Sequence, residues 1–273
     1  MSAFNGPRLK IERGKRHIEE LRGEVSRFLA EQPYRLVVEA DTDPAFQRLV
    51  LDNVTAFPKE IPLILGDAIH NLRAALDHLA CILVRENGQP DNDVYFPVVK
   101  NAAALPARLH SAKIDRAAAD VVDMVRALNP YPGGNDYIPG LHHIDIVDKH
   151  RLLIAVGHVI SNKGPLSSFI VRGSTITLIP DANNRQVVES CAIFAKIPTG
   201  PQLKPGDRAN ASFEIAFGAE TAFPGEPVVP MLNEIAEYLE KVIDTFESYC
   251  VEHKRVSAPV PLRQRSDAVL RIR

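Results

Sequence analysis

The feature that most limits how this chain can fold is a change of hydrophobic period near residue 152. Up to Arg151 the apolar residues recur at helical spacing. From Leu152 to Phe217 they fall in short β-branched and aromatic runs cut by Gly, Pro, Asn and Asp, and after Pro230 the helical spacing returns. Helices, then strands, then a helix do not alternate as βαβ units, so the pattern predicts an α+β fold. The spacing predicts helices over 8–31, 61–86, 113–128, 136–150 and 230–253, with Pro139 and Gly140 able to delay the fourth until Leu141. Tyr34–Glu39 and Arg48–Leu51 flank an Asp-Thr-Asp-Pro turn and predict an N-terminal hairpin, and Tyr95–Pro97 reads as a short extended piece. Further strands are expected at Leu152–Ile160, Ser168–Val171, Thr175–Ile179, Val187–Ile197 and Ala211–Phe217, with a loop from Pro198 to Asp207. The expected organisation is one integrated domain: a mainly helical part over 1–151, a β-rich segment over 152–226, a C-terminal helix over 227–257 packing back on the fold, and a basic tail over 258–273.

Composition narrows the function. The 273 residues carry 32 Lys+Arg against 34 Asp+Glu, a net charge of −2, which argues against a generic polyanion binder. Trp is absent and aromatics are only 6%, which argues against an aromatic stacking platform. The charged N-terminal stretch Met1–Arg27 is followed by no apolar core of a signal peptide, and no run nears the roughly 18 apolar residues of a membrane helix. A cytoplasmic protein with no membrane partner is therefore expected. Cys81, Cys191 and Cys250 form no CxxC pair and read as reduced thiols. GxGxxG, GxxxxGK[ST] and GxSxG are all missing, which disfavours nucleotide-cofactor enzymes and α/β-hydrolases.

Nine His is the unusual entry in the composition, and five of them (His70, His78, His142, His143, His150) fall in two short windows. The first lies on the helix over 61–86. With Asp67 at zero and about 100° per residue, Asn71 and His78 fall within about 40°, and His70, Asp77 and Arg73 between about 240° and 300°. Leu72, Leu76, Leu79 and Leu83 occupy the opposite arc. Short or planar polar heads in place of Lys and Glu suit fixed geometry. A solvated face with an Arg73–Asp77 i,i+4 pair is the plain alternative. The second window is Leu141-His-His-Ile-Asp-Ile-Val-Asp-Lys-His-Arg151, with polar groups all round its helix. Some of these must meet polar partners if Ile144, Ile146 and Val147 are to be buried, and the stripe on 61–86 is the candidate partner. The plain alternative is a structural ion-pair network.

Three chemistries fit such a cluster. The run Arg73-Ala-Ala-Leu-Asp-His78 resembles the RxxxxH motif of the HEPN superfamily, all-helical proteins that cleave RNA across a dimer. That resemblance implies His78 as general acid or base and Arg73 as stabiliser of phosphorane charge, with RNA or a nucleotide as partner, a homodimer, and no cofactor. His70, Asp77 and Asn71 complete the catalytic set of this reading, and Lys149, Arg151 and His142 its substrate-binding set. Ala74 in place of the family's usual polar residue, and the β-rich segment, depart from the HEPN pattern. A metal site is the second chemistry: Asp67 and His70 are i,i+3, and His143, Asp145, Asp148 and His150 could supply the rest of a set for Fe, Mn or Zn. Third is a non-catalytic interaction protein with a structural polar network.

A broader resemblance rests on Ile64-Leu-Gly-Asp-Ala-Ile-His-Asn-Leu-Arg-Ala-Ala-Leu-Asp-His-Leu79, Phe96-Pro97, Leu128-Asn-Pro-Tyr131 and Leu141-His-x-x-Asp-x-x-Asp-Lys-His-Arg-Leu-Leu153. In order and spacing these are similar to a widespread family of bacterial proteins, which implies a bacterial cytoplasmic origin and names no reaction. Elsewhere Cys81 reads as a small buried hydrophobe beside the stripe. His158 falls in a predicted strand, and His17, His110 and His253 read as surface residues.

Overall fold

In the computed structural model the described residues are 3–31, 35–52, 58–150, 155–162, 175–176, 178–180, 186–188, 193–198, 208–209, 211–218 and 221–257. The fold is α+β. Helix α1 (Asn5–Ala30) leads into a hairpin of β1 (Arg35–Ala40) and β2 (Phe46–Asp52), and α2 (Glu60–Glu86) follows. Then come α3 (Leu105–Ser111), α4 (Ala119–Ala127) and α5 (Tyr137–His150). Strands β3 (Ala155–Asn162), β4 (Thr175–Ile176), β5 (Leu178–Pro180), β6 (Gln186–Val188), β7 (Ile193–Pro198), β8 (Arg208–Ala209) and β9 (Ala211–Phe217) precede α6 (Val228–Ser257).

Each terminus of α2 has a local cause. Pro62 sits in its first turn, where a missing N–H costs nothing. Gly88, at φ 70°, takes the left-handed position just past its end, as the Asn87-Gly88 pair predicts. Helix α5 begins before Pro139 and Gly140 because Asn135 Oδ1 accepts the Ile138 N–H at 3.0 Å, and Pro139 again falls in a first turn.

The expected helix over 113–128 is broken. Lys113 at φ 60° opens a 3-10 turn, Ile114–Arg116, and Ala117 and Ala118 are extended before α4. Ile114 of the turn and Val121, Val122 and Val125 of α4 are all buried on the two sides of this break. Helix α3 was not expected from periodicity; Asn101 Oδ1, accepting the Ala104 N–H at 3.1 Å, caps the 3-10 turn that leads into it.

The hydrophobic core is built on α2. Leu72, Leu76, Leu79 and Leu83 are buried as their common arc predicts, against Ile11, Ile18 and Leu21 of α1 and Leu239, Ile243 and Phe246 of α6. Gly14 lets α1 approach: a Cβ there would lie 2.9 Å from Leu72 Cδ2. Leu9, which shares the apolar stripe of α1 in sequence, is 53% exposed, and His17, expected at the surface, is buried with Nδ1 3.3 Å from Glu20 Oε2. The stripe of α1 is therefore rotated toward His17 and away from Leu9.

All strand pairs are antiparallel, in a four-stranded sheet of order β7-β2-β1-β8, a three-stranded sheet β4-β3-β9 and the pair β5-β6. The four-stranded sheet draws the hairpin from the first part of the chain and β7 and β8 from the second, so a boundary at residue 152 runs through it. The expected strand over 187–197 is represented by β6 and β7, and that over 175–179 by β4 and β5; the strand expected at 168–171, the loop over 199–207 and the tail over 258–273 lie outside the described residues. Strand β9 joins the helices through backbone bonds, Phe217 N–H to Glu226 O and Gly225 N–H to Phe217 O, both 2.9 Å. Ile215 and Phe217 enter the helical core. Among the described residues no helix is long and apolar enough to cross a membrane. Cys81 and Cys250 are free thiols.

A candidate acid–base site between two helices

Helix α5 packs antiparallel on α2, and its polar residues meet those of α2 in successive rungs. At one end the Asp148 carboxylate lies on Gly66, where a Cβ would come within 2.4 Å of Oδ2. One turn along, His70 Nδ1 is 3.4 Å from Asp145 Oδ1, and Lys149 Nζ donates to Asp145 Oδ2 at 2.6 Å. One turn further, Arg73 Nε donates to His142 Nδ1 at 3.2 Å. The two polar windows thus meet, because i, i+3 and i+4 positions on each helix face the same neighbour.

Burial differs sharply along the ladder. Asp145 is 4% exposed and Arg73 6%, whereas the His70 side chain is 60% exposed and that of Lys149 52%. Asp145 is thus a buried carboxylate that holds an accessible imidazole on one oxygen and an ammonium on the other. A buried carboxylate requires such partners, and Lys149 supplies the counter-charge. Burial, with the Arg73 charge beside it, pushes the His142 pKa below the ordinary histidine value. His142 is therefore neutral at pH 7, and since its Nδ1 accepts from Arg73, its proton sits on Nε2.

Arg73 also pairs with Asp77, Nη1 to Oδ1 at 2.9 Å, but the N–H vectors miss that oxygen and Nη1 has no hydrogen bond of good geometry. The ion pair is therefore real by distance and incomplete by direction. Asp77 Oδ1 meanwhile accepts the Phe96 N–H at 2.8 Å and anchors the 95–97 segment to α2.

The arc read from the α2 sequence does not act as one group. Asn71 turns toward α1: its Nδ2 donates to the Asp67 carbonyl at 2.8 Å and its Oδ1 accepts from Lys10 Nζ at 3.4 Å. His78 is exposed and lies at the start of α1, with its Nδ1 3.2 Å from where a Gly6 Cβ would be. Arg73 faces α5 instead, so Arg73 and His78 point to different neighbours, as their separation of about 140° around the helix dictates. Asp67 is exposed, and His143 is exposed on another side of α5. Among the described residues, no group of three or more His, Cys, Asp or Glu is placed to hold a metal ion. The His150 side chain and Arg151 lie outside the described residues.

Asp145, the centre of the ladder, enters the sequence reading only as a possible metal ligand and not as the partner of His70. Its signal was present: it stands three after His142 and four before Lys149, on the one face of α5 able to meet His70 and Arg73. No family model, no curated protein and no solved structure matches this chain.

Proposed function

We propose that the α2–α5 ladder is a metal-independent acid–base site that hydrolyses RNA phosphodiesters, HEPN-like in its use of imidazole and guanidinium. The observation that carries this reading is the exposed His70 imidazole held 3.4 Å from the buried Asp145 carboxylate, with Lys149 on the other carboxylate oxygen. In this reading Asp145 orients the ring and His70 takes the proton of a ribose 2′-hydroxyl. The 2′-oxygen attacks phosphorus, the bond to the 5′-oxygen breaks to leave a 2′,3′-cyclic phosphate, and the leaving oxygen takes a proton from a water that is in turn reprotonated by His70. Lys149 and the Arg73 charge stabilise the developing phosphorane. A homodimer would bring His78 of a second copy toward the same cleft, as the RxxxxH resemblance implies.

The test is cleavage of single-stranded RNA in excess EDTA by the full chain. The expected result is cleavage to a cyclic phosphate, lowered by about 100-fold or more in His70→Ala. Loss in His78→Ala with His70→Ala fully active moves the base to His78. RNA left intact in EDTA by the wild-type chain overturns the proposal. The 6% exposure of Arg73 favours a second reading, a non-catalytic interaction protein whose polar ladder locks α5 onto α2. Intact RNA together with lowered stability of Arg73→Met or Asp145→Asn would support it.

A further inference from the structure

A second site lies at the other side of α5, where the turns over 132–136 and 221–226 meet the first turns of α6. They enclose an open cleft of about 970 Å3, a volume suited to a small molecule. None of the ladder residues lines it.

Its wall is aromatic. The rings of Tyr137 and Tyr238 lie 5.2 Å apart between centroids, tilted by 33°. Both hydroxyls are tied back: Tyr238 Oη accepts from Asn135 Nδ2 at 2.5 Å, and Tyr137 Oη donates to Glu234 Oε2 at 3.3 Å. Burial pushes both phenols above their ordinary pKa, so both rings stay neutral. A third ring, Phe223, is seated on Gly140, where a Cβ would meet its Cζ at 2.3 Å. That glycine is required for the ring to line the cleft.

The rim is acidic. Asp136 and Glu226 are exposed, and among the described residues neither forms an ion pair. Among the described lining residues there is no Lys or Arg, and the one imidazole is the exposed His143. Aromatic rings beside two carboxylates that pair with no described Lys or Arg select for positive charge carried on an apolar body. We propose that this cleft binds an alkylammonium cation, with Tyr137 and Tyr238 receiving its apolar surface and Asp136 and Glu226 its charge.

Calorimetric titration of the full chain with choline and with spermidine tests this, beside the uncharged carbon isostere of choline. The expected result is saturable one-site binding of at least one cation and none of the isostere; choline alone identifies a methylated ammonium, spermidine alone a polyamine. The double variant Asp136→Asn, Glu226→Gln should weaken binding by about tenfold, and Tyr137→Phe, which keeps the ring, should retain most of it. Both carboxylates are exposed, so the double variant should melt like the wild type. No saturable binding of either cation, equal binding of the isostere, or affinity unchanged in the double variant overturns the proposal.

Discussion

His142 carries a consequence that its neighbours on α5 do not. An unfolded imidazole takes up a proton near pH 6.5, about its ordinary value, whereas burial and Arg73 keep the folded one unprotonated to lower pH. Between those two points the unfolded state holds more protons. Stability therefore falls as pH drops below about 6.5 and stops falling once the folded imidazole also titrates. His142→Gln keeps an acceptor for Arg73 Nε and removes the titration. Urea midpoints measured from about pH 7 to about pH 5 should fall less steeply in this variant than in the wild type. Equal slopes would contradict a neutral His142 in the folded state.

At the scale of elements, the crossing of α1 over α2 depends on the absence of a side chain at Gly14. Leu72 is fully buried there, with Cδ2 and Cγ 2.9 and 3.0 Å from where a Cβ would sit. Gly14→Val must separate the helices or force Leu72 off its rotamer, and a loss of about 1–3 kcal/mol by denaturant unfolding is the expected outcome. Single-helix features of this kind were legible in sequence. The leucine arc of α2, its stop at Asn87-Gly88 and the bounds of β9 follow from periodicity and turn chemistry. What depends on a second element was not legible. The polar arc of α2 reads as one face because angles around an isolated helix carry no neighbours; α1 takes Asn71 and His78, and α5 takes His70 and Arg73. Within the site, the meeting of the two windows followed from the cost of burying polar groups, but the pairing of His70 with Asp145 required the antiparallel register.

For the molecule as a whole, stability is concentrated in the apolar core and not in the charged surface. The ion pairs that join α1 to α6, Arg8 with Asp244 at 2.6 Å, Arg8 with Glu247 at 2.5 Å and Lys15 with Glu240 at 2.6 Å, are partly solvent-exposed. Screening them with salt should change stability by no more than about 1 kcal/mol. Phe246, fully buried between the same helices, is different: Phe246→Ala should cost about 3–5 kcal/mol. Paired urea titrations at low and high salt on both proteins separate the two contributions. Because β9 enters that core through Ile215 and Phe217, part of the β-rich segment should unfold together with the helices.

The ladder between α2 and α5 also works as a vernier. A purely apolar seam tolerates sliding, since one leucine replaces another. Here a slip of α5 by one turn in either direction, about four residues, would set Arg73 opposite Ile138 or Ile146 in place of His142. A guanidinium facing isoleucine loses the His142 acceptor and keeps only Asp77 of its own helix, so these two alignments are penalised. The polar residues that make the seam chemically interesting thus also oppose a four-residue slip of one helix along the other.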